Sequence, residues 1–97
     1  MSEEADYMAL VDALEEASGK ISRLGAGILA AAARDIASDS RSFSRIFGVA
    51  HALVLRELVT LGAEGGSLRI RQRDERTQRT RYELSAVGHR LVEEVQL

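Results

Sequence analysis

Phe43-Ser44-Arg45-Ile46-Phe47-Gly48-Val49-Ala50-His51 is the segment from which the architecture can be inferred. It directly follows a polar cluster at residues 38–42, whose side chains can accept hydrogen bonds from free backbone N–H groups and so end one helix and start another. We therefore expect a short helix over residues 42–47. Gly48 takes positive φ without steric cost, which predicts a tight turn and a second helix that starts near Ala50.

The predicted second helix has a buried stripe and an outer face. Val54, Leu58 and Leu61 are spaced i, i+4 and i+7, so they share one side of the helix. The other side then carries His51, Ala52, Leu55, Arg56 and Val59. The helix is expected to end before Gly65, a candidate for the left-handed position that follows a helix.

A basic hairpin is predicted next. Residues 68–73 alternate between apolar residues and arginines, which is typical of a strand with one arginine face. A polar turn at residues 74–77 leads to a second alternating run at residues 80–84. Ser85 is expected to cap a final helix. The apolar stripe of that helix consists of Val87, Leu91, Val92 and Val95.

Apolar residues toward the N-terminus recur at alternating intervals of three and four over residues 7–31, a helical and heptad-like pattern. Glycines within residues 19–27 each cost about 1 kcal/mol against alanine inside a helix. We therefore expect two helices, near residues 5–18 and 22–37. Their stripe could fill the core of one chain, but together with the final helix it favours a homodimer held by N- and C-terminal dimerisation helices.

The length of 97 residues predicts a single domain, residues 1–97, with one core. Its parts are an N-terminal helix at 1–24, a central unit at 28–85 and a C-terminal helix at 86–97. The chain has no cysteine, which excludes disulfides, thiolate metal sites and cysteine nucleophiles. No secretory signal and no membrane span are expected, so we predict a cytoplasmic protein without a membrane partner.

The formal net charge of −2 hides an asymmetry along the chain. Residues 1–40 hold eight acidic and three basic side chains, whereas residues 41–97 hold ten arginines and seven acidic side chains. Such a distribution suggests an acidic, solvated end and a basic end that binds a polyanion.

Three segments resemble bacterial winged helix-turn-helix regulators of the MarR, PadR and HxlR types. Residues 43–51 resemble their pattern of an apolar residue, a small residue, two variable residues, an apolar residue and glycine. Matches to the valine, arginine, two leucines and closing glycine of their recognition helix are Val54, Arg56, Leu58, Leu61 and Gly65. Residues 79–91 are similar to their second wing strand and the motif Tyr-x-Leu-Thr-x-x-Gly-Arg-x-Leu, with Ser85 in place of threonine and His89 in place of arginine.

The resemblance covers residues 28–95 and implies a mainly α fold with a small β-hairpin. In a winged helix-turn-helix, the second helix enters the major groove of duplex DNA and the hairpin lies on phosphates as the wing. The implied function is a transcriptional regulator that binds double-stranded DNA. Candidate DNA-binding residues are Ser44, Arg45, His51, Ala52, Leu55, Arg56, Arg73, Arg76 and Arg79.

These residues have distinct expected roles. His51 and Arg56 would read bases, although His51 could be a plain exposed histidine and Arg56 could bond phosphate or its own helix. Ser44 and Arg45 would touch the DNA backbone. The hairpin arginines would contact phosphate, or else form a solvated face. The alternative function is a winged helix for protein contact, which would use the apolar Ala52, Leu55 and Val59.

Catalytic and metal-binding patterns are sparse in this sequence. The two histidines lie far apart, no glycine-rich phosphate loop follows a strand, and no His-x-x-x-His or Glu-x-x-His spacing occurs. We therefore predict a protein that is not an enzyme and that uses no metal or other cofactor.

Overall fold

The computed structural model describes residues 2–96. Within them the chain forms five helices and one two-stranded antiparallel sheet, which confirms the predicted mainly helical fold with a small hairpin. The elements are α1 (Glu3–Ala17), α2 (Arg23–Ala33), α3 (Ser40–Phe47), α4 (His51–Leu61), β1 (Leu68–Arg73), β2 (Thr80–Leu84) and α5 (Ala86–Val95). Residues 1 and 97, the outer ends of the predicted terminal segments, lie outside the described residues.

Helices α1 and α2 form a hairpin that covers its own apolar surface. The predicted break falls at residues 18–22, and Ser22 caps α2 by accepting a hydrogen bond from the Gly25 N–H at 3.0 Å through its Oγ. The break lets α2 fold back onto α1, so the two halves of the heptad-like stripe meet within one chain. Leu14 and Ile28 are completely buried there. The stripe therefore gives no support to the predicted homodimer, because core packing accounts for it.

Helix α2 ends at Ala33, four residues earlier than predicted. Asp35 adopts a left-handed conformation with φ 56°. The N–H of Asp35 bonds the carbonyl of Ala32 at 3.3 Å, and the N–H of Ile36 bonds the carbonyl of Ala31 at 2.8 Å. These two bonds form a Schellman motif, which closes the helix with aspartate where glycine is usual.

Helices α3 and α4 are joined by residues 48–50, as predicted. Helix α3 starts two residues earlier than expected, because Asp39 Oδ1 accepts the N–H of Ser42 at 2.9 Å and caps it. Gly48 has φ 66°, the left-handed conformation inferred for the turn. Helix α4 ends at Leu61, so Gly65, although left-handed at φ 77°, lies in the following turn and not at the helix end.

The hairpin contains a β-bulge that the alternating sequence did not indicate. Ile70 pairs with Tyr82, but Arg71 has no opposite residue, and beyond it Gln72 pairs with Arg81. Residues opposite one another in an antiparallel pair share a face of the sheet. The prediction of one face of arginines was therefore wrong, since the bulge puts glutamine on the face where the alternation required arginine.

The core is built around α2, which contacts α1, α4, α5 and β2 and is buried from Gly25 to Ala31. Phe43 from α3, Val54 and Leu58 from α4, and Tyr82 from β2 close the core around it. None of the helices in residues 2–96 has the length and apolar character needed to cross a membrane.

Helix α5 closes the base of the hairpin. Ser85 caps it as predicted, accepting the Gly88 N–H at 3.1 Å and donating its hydroxyl to the carbonyl of Gly66 at 2.6 Å. A Cβ atom at Gly88 would lie 2.1 Å from the carbonyl oxygen of Ser67. Glycine is thus required where the α5 backbone touches the segment that enters β1.

Candidate nucleic-acid interface

Helix α4 presents the buried stripe that its sequence predicts. Val54, Leu58 and Leu61 are buried, and they hold the helix against the core. Arg56 and Ala52 are exposed on the opposite side, where the sequence placed them. The outer surface of α4 therefore offers a single guanidinium group, with five potential N–H donors, in mostly apolar surroundings.

Leu55 lies at the edge of the outer face of α4. It is half-buried and packs against the core, so only part of its side chain is accessible. Its expected contact with DNA stays a prediction. The large apolar residues that are exposed on α4 are Leu53 and Val59, at 46% and 67%. Val59 was expected on the outer face, whereas Leu53 was not among the residues predicted there.

His51 is anchored inside the protein through one ring nitrogen. Its Nε2 lies 2.8 Å from Ser40 Oγ, and that buried oxygen also accepts the N–H of Thr80 at 2.9 Å. Burial, and then the positive charge of Arg41, lower the pKa of His51, while Asp39 opposes the shift. The Ser40 hydroxyl donates to Nε2 in one neutral tautomer of the ring, and Nε2–H donates to Ser40 Oγ in the other. His51 thus links α4 to α3 and β2, and only Nδ1 is left for an outside partner.

The two candidate residues on α3 differ in how much of each is available. Ser44 donates its hydroxyl to the carbonyl of Val49 at 2.5 Å, so the side chain braces the turn before α4. Arg45 is exposed and has no carboxylate within ion-pair distance among residues 2–96. Of the two, only the arginine keeps its donors for another molecule.

The hairpin arginines divide into exposed and internally paired groups. Arg73 and Arg76 are exposed and make no ion pair within the described residues. Arg79 instead places its Nε 3.3 Å from Asp39 Oδ1, which holds the hairpin against the start of α3. Arg69 and Arg71 share the carboxylate of Glu83, at 3.6 and 2.7 Å.

Asp39 stays charged although it is mostly buried. Burial tends to raise the pKa of its carboxyl group, but hydrogen bonds from Ser42 and the charge of Arg79 outweigh burial and hold the pKa below its usual value. The charged carboxylate therefore caps α3 and also offsets part of the positive charge of Arg79.

Two further arginines near this junction were not among the candidates. Arg41 donates from Nη2 to the carbonyl of Thr77 at 2.5 Å and so bridges α3 and the hairpin turn. Arg81 is exposed on β2. The alternation of β2 marked Arg81 as surface-facing, but no local signal indicates the contact of Arg41, because 36 residues separate its two partners.

Exposed guanidinium groups give this surface several hydrogen-bond donors of positive charge. Arginine forks donate paired hydrogen bonds to phosphate oxygens, and the donors here come from α3, α4 and the hairpin. Within residues 2–96, no group of three or more histidine and acidic side chains is arranged to hold a metal ion.

The resemblance to winged helix-turn-helix regulators rests on the sequence motifs and on the order of the elements. The five helices and the hairpin occur in the order that the resemblance implies. The family assignment stays a prediction, since no family model, no curated protein and no solved structure matches this chain.

Proposed function

We propose that this protein is a cytoplasmic transcriptional regulator that binds double-stranded DNA through a winged helix-turn-helix. In this proposal α4 enters the major groove and the hairpin is the wing on flanking phosphates. One observation carries it: five exposed arginines on α3, α4 and the hairpin have neither an ion pair nor a hydrogen bond from the guanidinium group among residues 2–96. They are Arg45, Arg56, Arg73, Arg76 and Arg81.

Unpaired arginines suit a phosphate backbone for an electrostatic reason. Each cation that contacts a DNA phosphate releases condensed counterions, which gives affinity that falls steeply with added salt. Cations already paired within the protein would first have to break that pair. The proposal therefore assigns the phosphate contacts of the wing to Arg73 and Arg76, and it gives Arg79 mainly the role of holding the wing in place.

The main experiment removes two unpaired charges at the wing. The double variant Arg73→Ala/Arg76→Ala should bind every duplex more weakly, and the slope of log affinity against log salt should flatten by up to about two units. Fluorescence anisotropy at several salt concentrations measures both quantities. The matched control Lys20→Ala/Arg90→Ala removes the same charge from exposed sites outside the hairpin and should leave the slope near that of the wild type. An unchanged slope in the wing variant would contradict the proposal.

Base reading is tested separately at Arg56. If its fork bonds a guanine, Arg56→Ala should cost about 1–3 kcal/mol on a preferred duplex and much less on random duplexes. A preferred site would first be selected from a random-sequence library. Equal losses on both duplexes would instead assign Arg56 to phosphate.

A second candidate function is protein binding through α4. The observation that favours it is the exposure of Leu53 and Val59, which flank Arg56 with apolar surface. If α4 binds a protein, the variant Leu53→Glu/Val59→Glu should abolish that binding. If α4 binds DNA through Arg56 and phosphate contacts, the variant should keep part of its affinity for duplex DNA. Salt separates the two functions, because an apolar interface responds little to ionic strength.

Because α1 and α2 cover each other, the proposed homodimer interface relies on the apolar residues of α5. Val87 is 44% exposed, and Leu91 and Val95 are half-buried on the same helix. In the proposed function these residues pair two chains on a two-fold symmetric DNA site. Sedimentation at micromolar concentration should then give twice the chain mass of 10.6 kDa, and a monomer would contradict dimerisation.

A further inference from the structure

A cleft with a volume of about 430 Å³ lies between the first turn of α3 and the far end of the hairpin. Three of its six lining residues are arginines. One lies on α3, one in the hairpin turn and one on β2. The cleft is lined by Arg41, Gln72, Asp74, Thr77, Arg79 and Arg81. Of these, only Arg79 was expected to contact an anion.

A hydrogen bond and an ion pair hold two of the arginines without using up their donors. Arg41 uses Nη2 for the carbonyl of Thr77 at 2.5 Å, and Arg79 uses Nε for Asp39 at 3.3 Å. The remaining N–H groups of both guanidinium groups are available to a ligand. A ligand would therefore meet side chains that have already lost much of their rotamer freedom, which lowers the entropic cost of binding.

Arg81 supplies the guanidinium group with the fewest internal commitments. It is exposed and makes no ion pair within residues 2–96. The β-bulge at Arg71 sets its surroundings, since the register shift places the neutral Gln72 opposite it. Without the shift, alternation would put Arg71 there. The bulge thus leaves a polar neighbour instead of a repelling cation.

The carboxylates near the cleft are already engaged. Asp74 Oδ1 accepts the N–H groups of Arg76 and Thr77, at 2.9 and 3.3 Å, and so holds the hairpin turn. Asp39 caps α3 and pairs with Arg79. Three guanidinium groups therefore face two carboxylates, and the cleft keeps a positive balance with donors directed at no internal acceptor.

We propose that this cleft is a phosphate-binding site. The fork of Arg81 binds two oxygens of a phosphoryl group, and the remaining N–H groups of Arg41 and Arg79 bind its other oxygens. In the complex with duplex DNA, the group is a backbone phosphodiester, and to that extent the inference rests on the proposed function. A free phosphate compound offers the same chemistry, so the experiment includes both sources.

The test compares Arg81→Ala with Arg90→Ala, which removes the same charge from an exposed site on α5. Random-sequence duplex DNA is titrated by fluorescence anisotropy, and inorganic pyrophosphate is titrated by amide chemical shifts. We expect Arg81→Ala to bind duplex about tenfold more weakly at about 50 mM salt, with the salt slope reduced by about one unit. Arg90→Ala should match the wild type. Thermal unfolding should be unchanged in both, because neither side chain makes an ion pair within residues 2–96.

Arg81→Lys tests the fork itself, because lysine keeps the charge and loses the paired donors. It should bind duplex more weakly than the wild type, and equal binding would overturn the bidentate contact. Pyrophosphate should shift the amides of residues 39–42 and 77–81 in the wild type but not in Arg81→Ala.

The remaining outcomes separate the two proposals. If pyrophosphate shifts those amides but Arg81→Ala binds duplex as the wild type does, the site holds and its ligand is a free phosphate compound. If neither probe responds to Arg81→Ala while Arg73→Ala/Arg76→Ala still weakens duplex binding, the cleft inference is overturned and the proposed function stands. If the wild type binds no duplex and pyrophosphate still shifts the cleft, the proposed function fails and the site stands.

Discussion

The α1–α2 hairpin and the tip of the β-hairpin differ in how their arginines are paired. Arg23 on α2 contacts the carboxylates of Asp12 and Glu15, each at 2.9 Å, and Arg34 lies 3.7 Å from Asp6. At the tip of the β-hairpin, Arg73 and Arg76 have no such partner within the described residues. The N-terminal region thus pairs its arginines with its own carboxylates, while the tip of the β-hairpin carries arginines that no described carboxylate pairs.

Apolar residues follow the same division. The stripe of α1 is buried against α2, and Leu14 has no exposed surface. On α4, by contrast, Val59 is 67% exposed. Core packing therefore accounts for the buried stripe of α1, whereas Val59 on α4 is an apolar surface residue that packing within the chain does not explain.

The largest effect that this comparison predicts is at Leu14. Leu14→Glu puts a carboxylate at a fully buried position, and desolvation of that charge should remove most of the stability of the domain, of order 5 kcal/mol or more. Val59→Glu makes the same chemical change on an exposed site and should cost little. Urea unfolding followed by circular dichroism measures both. If Leu14→Glu folds normally and has only lost self-association, Leu14 lies in a dimer interface and not in the core of one chain. That outcome would contradict the comparison.

A smaller loss is expected where the two regions are joined, at Gly88. Gly88→Ala brings a Cβ atom to 2.1 Å from the Ser67 carbonyl oxygen, so α5 must move away from the base of the hairpin. Such overpacking costs about 1–3 kcal/mol. Gly19→Ala is the matched control, since a Cβ there would meet nothing within 4 Å. Equal melting temperatures for the two variants would show that the junction yields without strain.

Local signals in the sequence predicted what depends on local structure. Gly48 predicted the turn before α4, and Ser85 predicted the cap of α5. The apolar stripe of α4 predicted which side of that helix is buried. Those features are set within a few residues by φ preference, capping and helical period. The order of elements follows from them.

Features that depend on distant partners were missed. The heptad-like stripe could not reveal whether a second chain or α2 covers it, because the period is the same in both cases. The bulge at Arg71 and the pairing of Arg79 with Asp39 require knowledge of the register and of residues about 40 positions away. The left-handed Asp35 that ends α2 was missed because aspartate adopts that conformation only occasionally. The features of the interface that the sequence did not predict are thus those that depend on tertiary contacts.

The two buried tyrosines sharpen the comparison with effects of opposite sign. Tyr7 on α1 donates its hydroxyl to the Gly27 carbonyl at 2.9 Å, so Tyr7→Phe should lower the free energy of unfolding by about 1 kcal/mol.

The Tyr82 hydroxyl on β2 is buried and finds no hydrogen-bond partner among residues 2–96. Burial raises the pKa of Tyr82, so the hydroxyl keeps its proton without an acceptor. Tyr82→Phe should therefore be neutral or stabilise the protein by up to about 1 kcal/mol. Thermal unfolding of both variants measures the difference, and a clear loss in Tyr82→Phe would reveal a partner, such as a buried water.

The smallest expected effect is the pH dependence contributed by His51, where α3, α4 and β2 meet. Burial and Arg41 hold the pKa of the folded state below the ordinary value of 6.5, so the unfolded chain binds the proton more readily. The stabilisation is fully present above pH 6.5 and is lost as the pH falls toward the pKa of the folded state, below which the loss stays constant. His51→Gln should remove this part of the pH dependence, while His89→Gln should leave it unchanged.

Arg41 provides the decisive variant, because its charge is the second cause of the shift after burial. In an NMR titration, Arg41→Ala should raise the pKa of His51 only part of the way toward its ordinary value, since the ring stays partly buried beside Ser40. A pKa of His51 at or above 6.5 in the wild type would show that burial and Arg41 do not penalise the charged ring as expected. The start of α4 would then hold an additional cation when the ring is protonated, and the boundary between the two regions would move into α4.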